Sequence, residues 1–354
     1  MKKQTPCYKP PVVQIRISSK QLFQPNHLIA NLTAGIICGE IIVIYSISFA
    51  ALIFSGDLSA HISTGVGLAL FTAITVSIVT AFMSSLPGVV IMPQDSTAVL
   101  LGLMASAIVT QMPASATSTD ILYTVITAIS LTSILAGIFC FVLGTFKLGE
   151  LTRLIPYPVV GGFLAGTGWL LSYGALNLMA DIPLTLAHLP QLFQPEILLR
   201  WFPGACFALL LLVLLRRYHH SLILPGIVLG AIGLFYLLLL VSHTSIAEAR
   251  DYGLLFHAFP ETGMWQPLQP TMLFQANWQL IFKQMGQVFT ILLLTAIALL
   301  LNCTGIELAT GQEIEPNREL QTIGIANLIA GLGGGIIGFH CLGLSTLNLA
   351  KIGA

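Results

Sequence analysis

Residues 88–102 read GVVIMPQDSTAVLLG, a polar Gln-Asp-Ser-Thr set inside an otherwise apolar run. Residues 88–92 favour an extended chain. Pro93 forbids an unbroken helix, because it has no N–H to give and its ring clashes with the preceding turn. Asp95, Ser96 or Thr97 can cap a helix that continues through AVLLGLMASAIV. In hydrocarbon every backbone polar group needs a partner, so such a break at membrane depth survives only where protein covers it or where it lines a wet cavity. The stretch therefore predicts a short extended segment leading into a half-helix that begins near the bilayer midplane.

The rest of the chain places that break in a membrane. Of 354 residues 56% are hydrophobic and 8% charged, with mean hydropathy +0.90, against roughly a quarter charged in soluble domains. Apolar runs near the ~20 residues that cross a bilayer fall at 28–54, 65–86, 121–143, 158–180, 201–215, 222–242 and 284–301, with shorter or broken ones at 96–112, 322–338 and 342–354. The fold class expected is an all-α polytopic membrane protein. Residues 1–27 are polar and carry no cleavage pattern, so they read as a cytoplasmic N-terminal segment. Threading alternately from there puts ten of the 14 Lys and Arg inside and two, Arg200 and Arg250, outside, as expected for a cytoplasmic (inner) membrane protein with its N-terminus in the cytoplasm. Residues 243–279, with Trp265 and Trp278, read as an extracytoplasmic loop. The six cysteines show no C-x-x-C and read as small packing residues. No basic stripe suggests nucleic acid, no His/Cys pattern suggests a metal, and no catalytic set or phosphate loop suggests an enzyme or a cofactor.

The far end repeats the break. In GLGGGIIGFHCLGLSTLNLAKIGA, residues 331–354, a glycine-rich stretch breaks near Gly338, and Leu344-Ser345-Thr346 opens another short helical run. The threading makes the two half-helices point oppositely, which is the sequence signature of a transporter built from inverted repeats. Each half-helix start offers unsatisfied N–H groups and about half a positive charge, so two facing starts suit a small anion without Lys or Arg.

Four stretches carry a family resemblance: NLTAGIICGEIIVIYSISFAALIFSG (31–56), MPQDSTAVLLGLMASAI (92–108), RLIPYPVVGGFLAGTGWLL (153–171) and, most specifically, GIELATGQEIEPNRELQTIGIANLIAGLGGGIIGFHCLGLSTLNLAKIGA (305–354) with its N-x-E-L, G-x-x-N and G-x-x-G-G spacings. The chain from about residue 25 resembles the SulP family of anion transporters, the sulfate permease family to which prestin and pendrin belong. The resemblance implies a 7+7 inverted-repeat fold split into core and gate, dimerisation, a STAS domain after the membrane part, and symport or exchange of sulfate, bicarbonate or similar anions. It divides the chain into a first seven-segment repeat (28–242), the loop 243–279 and the start of a second repeat (280–354). Ending at Ala354, inside the tenth segment and with no STAS domain, the chain is expected to be an inactive fragment. Two other readings stay open, a nucleobase-proton symporter of the same fold and a non-transporting membrane remnant; competition between uracil and sulfate or bicarbonate would separate the first.

The substrate site that the resemblance implies comprises Gln94, Asp95, Ser96 and Thr97 with Gly343, Leu344, Ser345 and Thr346. Many animal members carry an Arg where this chain has Thr346, and a Pro-Gln pair where it has Ile44-Tyr45. Asp95 either caps its half-helix or, protonated, accompanies the anion. The hydroxyls either reach substrate or bond their own backbone. Glu307, where the family places an acid tied to proton or sodium coupling, could equally end a helix beside Glu313, Glu315 and Glu319. Glu40, deep in the first span, reads as a coupling or a packing acid. His340 reads as structural, and Gly161, Gly162, Gly166 and Gly168 as a helix-packing surface.

Overall fold

The computed structural model describes residues 25–150, 157–180, 188–218, 223–255 and 267–352, together with Ile182 and Trp265. Most of the polar N-terminal segment, Arg153 and the His219-His220 pair lie outside the described residues. The chain runs α1 (Pro25–Ile53), α2 (Ile62–Met83), β1 (Ile91–Pro93), α3 (Asp95–Gln111), α4 (Ser118–Thr145), α5 (Tyr157–Ala180), α6 (Pro195–Arg217), α7 (Ile223–Val241), three one-turn to two-turn pieces α8 (Ile246–Asp251), α9 (Pro270–Gln275) and α10 (Trp278–Lys283), then α11 (Met285–Thr310), α12 (Pro316–Leu332), β2 (Gly338–His340) and α13 (Leu342–Thr346), which continues as a π-helix through Leu347–Ile352. This is an all-α, inverted-repeat architecture of a multi-pass membrane protein.

Among the described residues, five helical stretches are long and apolar enough to cross a bilayer: Ala34–Ile53, Gly56–Met83, Ser118–Thr145, Pro195–Arg217 and Met285–Thr310. The half-helix α3 is shorter and apolar. Exposure separates a core from a periphery. α6 has no buried residue although it is built from Leu, Val, Phe and Ala, so its sides are satisfied by lipid tails rather than by protein. α2, α4, α11 and α12 instead contribute the buried core around Leu68, Val76, Ile126, Ile129, Leu299 and Ile323.

The tightest crossing in that core is α4 against α12, and glycines make it possible. A Cβ on Gly137 would lie 2.7 Å from Leu328 N, one on Gly324 2.7 Å from Phe141 N, and one on Gly331 2.9 Å from Ile134 N. On each helix the glycines recur seven residues apart, 137 and 144 on α4, 324 and 331 on α12, so they form one stripe per helix and the two backbones touch. Of the stripe expected to do this, Gly161, Gly162, Gly166 and Gly168 on α5, the surroundings of Gly161 lie outside the described residues and the other three meet nothing within 4 Å among them.

The two breaks share one construction. α2 is followed by Gly88 in the left-handed region (φ 83°), then β1, then α3; α12 is followed by Gly334 (φ 86°), then β2, then α13. At both places only glycine takes the positive φ without strain. The repetition of helix, left-handed glycine, three-residue strand and half-helix is the inverted repeat made local.

Candidate functional site

β1 and β2 pair antiparallel, with Ile91 opposite His340, Met92 opposite Phe339 and Pro93 opposite Gly338. Antiparallel pairing means that the chain leaves the two strands in opposite directions, so α3 and α13 diverge from one buried point. The ladder extends beyond the strands: Gln94 N–H donates to the Ile337 carbonyl at 3.4 Å and Cys341 N–H to the Val90 carbonyl at 3.0 Å.

A two-stranded ribbon has two outer edges, and at membrane depth both need partners. Side chains supply them. Asn327 of α12 holds Gly338 from both sides, Nδ2 donating to its carbonyl and Oδ1 accepting its N–H, each at 2.9 Å. Asn302 of α11 donates to the His340 carbonyl at 2.7 Å. On the other strand Ser77 of α2 donates to the Ile91 carbonyl at 3.3 Å. Gln94 Nε2 donates to the Phe339 carbonyl at 2.8 Å, and Asn348 Nδ2 to the Gly88 carbonyl at 2.7 Å.

The residues expected to bind substrate are brought together, but they do different things. Ser345, fully buried, bridges the repeats: its hydroxyl accepts from Val90 N–H at 3.0 Å and donates to the Val90 carbonyl at 3.2 Å. Thr97, also fully buried, donates to the Gln94 carbonyl at 3.0 Å. Gln94 is the N-cap of α3 by its backbone, not a side-chain cap. Asp95 is helical rather than N-cap, and its Oδ1 accepts the N–H of Ser96 at 2.6 Å. Ser96 is buried and its hydroxyl is not part of the ribbon's network, while Leu344 is buried beneath α13. Asp95, Cys341, Leu342 and Thr346 are partly exposed, Gly343 is exposed, and a Cβ on Gly343 would meet only open space. Thr346 Oγ1 is buried without a partner among the described residues. The open side of the site is therefore the Asp95 and Gly343 side, with the serines behind it.

Two further residues help to line that side: Cys341, read from the sequence only as a small packing residue, and Tyr45. The Cys341 sulfur lies against the N–H groups of Gly343 and Leu344 and against the Gln94 side chain, which is where the free donors at the start of α13 converge. Tyr45 of α1 lies within electrostatic reach of Cys341 and Asp95, and Cys38 within reach of Cys341. Of the Ile44-Tyr45 pair named in the sequence, Tyr45 is the residue with this reach toward the break.

The two acids expected to couple ions lie apart from this point. Glu307 accepts Ile314 N–H at 2.8 Å and lines a cleft of about 980 Å³ with Lys147, Glu150, Glu313, Glu315 and Arg318, between the end of α4 and the α11–α12 turn. Glu40 is half-buried on α1, and its Oε1 has no partner among the described residues. No group of three or more His, Cys, Asp or Glu that could hold a metal occurs among the described residues.

Residues 28–353 match the model of the sulfate permease family. The chain is similar to the bicarbonate transporter BicA of Picosynechococcus sp., 23% identical over 305 residues, which is 79% of this chain and 48% of that protein. It is similar also to the vacuolar basic amino acid transporter VSB1 of Saccharomyces cerevisiae, 20% identical over 224 residues, 61% of this chain and 22% of the other. The chain thus spans less than half the length of these curated relatives. Among solved structures, the transmembrane domain of a cyanobacterial BicA superposes with TM-score 0.65 at 21% identity, covering 93% of this chain and 78% of that one. SLC26A9 superposes with TM-score 0.63 at 16% identity, covering 92% and 51%.

Proposed function

The chain belongs to the sulfate permease family, and on that premise we propose that it serves as a secondary active transporter of small anions, bicarbonate or sulfate among them, by alternating access. The observation that carries this reading is the antiparallel crossing of β1 and β2, from which α3 and α13 start in opposite directions within one buried network. Each start presents backbone N–H groups and about half a positive charge to the space beside Gly343. That field is fixed, needs no Lys or Arg, and suits a compact anion better than a neutral nucleobase. The likeness to a bicarbonate transporter over 79% of the chain supports the same class.

In this proposal the anion meets the Gly343 and Leu344 N–H groups, the start of α3 at Asp95 and Ser96, and the Thr346 hydroxyl. Gln94, Thr97 and Ser345 hold the frame. Coupling to a proton or sodium ion would use an intramembrane acid, Glu40 or Glu307. The Lys and Arg distribution supports a cytoplasmic N-terminus in an inner membrane, and the family resemblance supports a homodimer.

One observation favours a second reading. Asp95 puts a carboxylate on the open side of the site, and a relative is named as a basic amino acid transporter; a cationic substrate would pair with that carboxylate. Uptake into proteoliposomes holding the purified chain tests both. Saturable uptake of labelled bicarbonate or sulfate that excess arginine does not inhibit is the result this reading expects, and it would overturn the expectation of an inactive fragment. Uptake of arginine without either anion would overturn the anion reading in favour of the second, and uptake of none would overturn transport altogether.

A further inference from the structure

His340 and Glu319 form an ion pair with no exposed surface on either side chain, His340 Nε2 standing 2.8 Å from Glu319 Oε2. Glu319 is otherwise saturated: its Oε1 accepts Ser84 Oγ–H at 3.0 Å, Ser85 N–H at 2.5 Å and Ser85 Oγ–H at 2.7 Å. Four donors converge on one carboxyl group, which fits an acceptor-only carboxylate. Its fourth donor is His340 Nε2–H. The other imidazole nitrogen, Nδ1, is buried with no partner among the described residues. The pair thus has one open protonation position, at Nδ1.

We infer that Glu319 and His340 form a proton-binding site, with the exchangeable proton on His340 Nδ1, that sets the charge felt by an anion at the start of α13. His340 is the last residue of β2 and stands two positions before Leu342, the first of α13, so the pair lies roughly 7 Å along the chain from the helix start. With Nδ1 protonated, the imidazolium and the carboxylate sum to zero. Without that proton the pair is a buried unit negative charge beside the anion. Imidazole is the side chain that exchanges a proton near neutral pH, and in a contacting pair the proton belongs to both groups. The other ionisable groups around it are few. α11 brings Cys303, which interacts electrostatically with both Glu319 and Glu307. α12 brings Arg318, whose Nε donates to the Met83 carbonyl; the turn after α2 brings only the two serines, and the ribbon's far ends bring Asp95 and Cys341. None of these donates to Nδ1. The proton site stands on this geometry alone, whereas its effect on an anion rests on the transport reading above.

The test uses the full chain, unmodified and as His340→Gln or Glu319→Gln. Glutamine at 340 keeps an N–H for the carboxylate but cannot take the proton, leaving the negative charge at every pH. Glutamine at 319 removes that charge at every pH. A buried unpaired charge is costly, so the unmodified chain should melt above H340Q at roughly pH 5.5 and level with it at roughly pH 8, while E319Q loses the dependence that the unmodified chain shows. In proteoliposomes, labelled sulfate or chloride should enter the unmodified chain about tenfold faster at the lower pH, and H340Q at much the same rate at both. A melting difference that stays the same at both pH values for both variants overturns the proton site, whatever uptake shows. A pH-dependent melting difference in a chain that carries no anion upholds the site and removes the transport reading instead.

Discussion

Ser345 commits its one hydroxyl twice to Val90, across 255 residues of sequence. Removing it leaves the Val90 N–H without its partner, at about 1–3 kcal/mol, while the Val90 carbonyl keeps the Cys341 N–H at 3.0 Å. S345A is therefore expected to lower thermal stability by several degrees and to reduce uptake through the frame, with Vmax falling more than the apparent KM changes. A variant that melts normally but shows a large rise in KM would return Ser345 to substrate contact. Asp95 is the opposite case: it faces the open side and holds Ser96 N–H, next to the space an anion would occupy. Asparagine there keeps an acceptor for that N–H and removes the repulsion, so D95N should lower the KM for bicarbonate several-fold, an effect on the order of 1 kcal/mol. If D95N instead abolishes uptake at every pH, the carboxylate is required and the cationic reading gains.

These residues show why the sequence disclosed the place of the two breaks more clearly than what their side chains do. A polar break in an apolar run is visible without coordinates, and the two breaks do lie on one paired ribbon, with Gln94 reaching Phe339 and Ser345 reaching Val90. Which hydroxyl is consumed by backbone 255 residues away is not a local property, so Ser345 could not be told from a binding group in advance, whereas Thr97 bonds the Gln94 carbonyl only three residues back. Glu319 and His340 were seen separately, one as a face acid and the other as a lone histidine, because only the return of β2 beneath the end of α2 puts them 2.8 Å apart.

At the scale of elements the same contrast holds. Apolar runs and Pro93 announce the helices and the first break, since hydropathy and backbone chemistry act locally. The pairing of α4 with α12 was not announced: glycines seven residues apart become a contact surface only once the partner helix is known, and Gly162, Gly166 and Gly168 of the more conspicuous run meet nothing within 4 Å among the described residues instead. Gly324→Leu and Gly137→Leu should each force the helices apart, at about 1–3 kcal/mol or more for overpacking, seen as loss of the monodisperse peak in detergent chromatography or a clear fall in melting temperature. Leucine at Gly166 of α5, which faces no described atom, should leave both unchanged. Because α12 carries Asn327 and Glu319 to the ribbon, separation of α4 and α12 would also disturb the second half-helix.

For the whole molecule, the division between a buried core and a lipid-exposed set of helices supplies the two bodies that alternating access requires. α5, α6 and α7 pack on one another and meet the core at α1 and α3, and one such contact is close: a Cβ on Gly174 of α5 would lie 2.7 Å from Leu52 Cδ1 of α1. If the half-helices travel with the core while α5 to α7 stay in the lipid, the surfaces carrying Leu52 and Gly174 must slide past each other in each cycle. A chain with Leu52→Cys and Gly174→Cys, in a background with its native cysteines replaced, should then carry anions when reduced, stop when the pair is joined by a short bifunctional thiol reagent, and resume on cleavage of the link. Each single variant should ignore the reagent. Full uptake with the link intact would mean that α5 and α1 move as one body, and the moving boundary would have to lie elsewhere, between α3 and α4 or within α11.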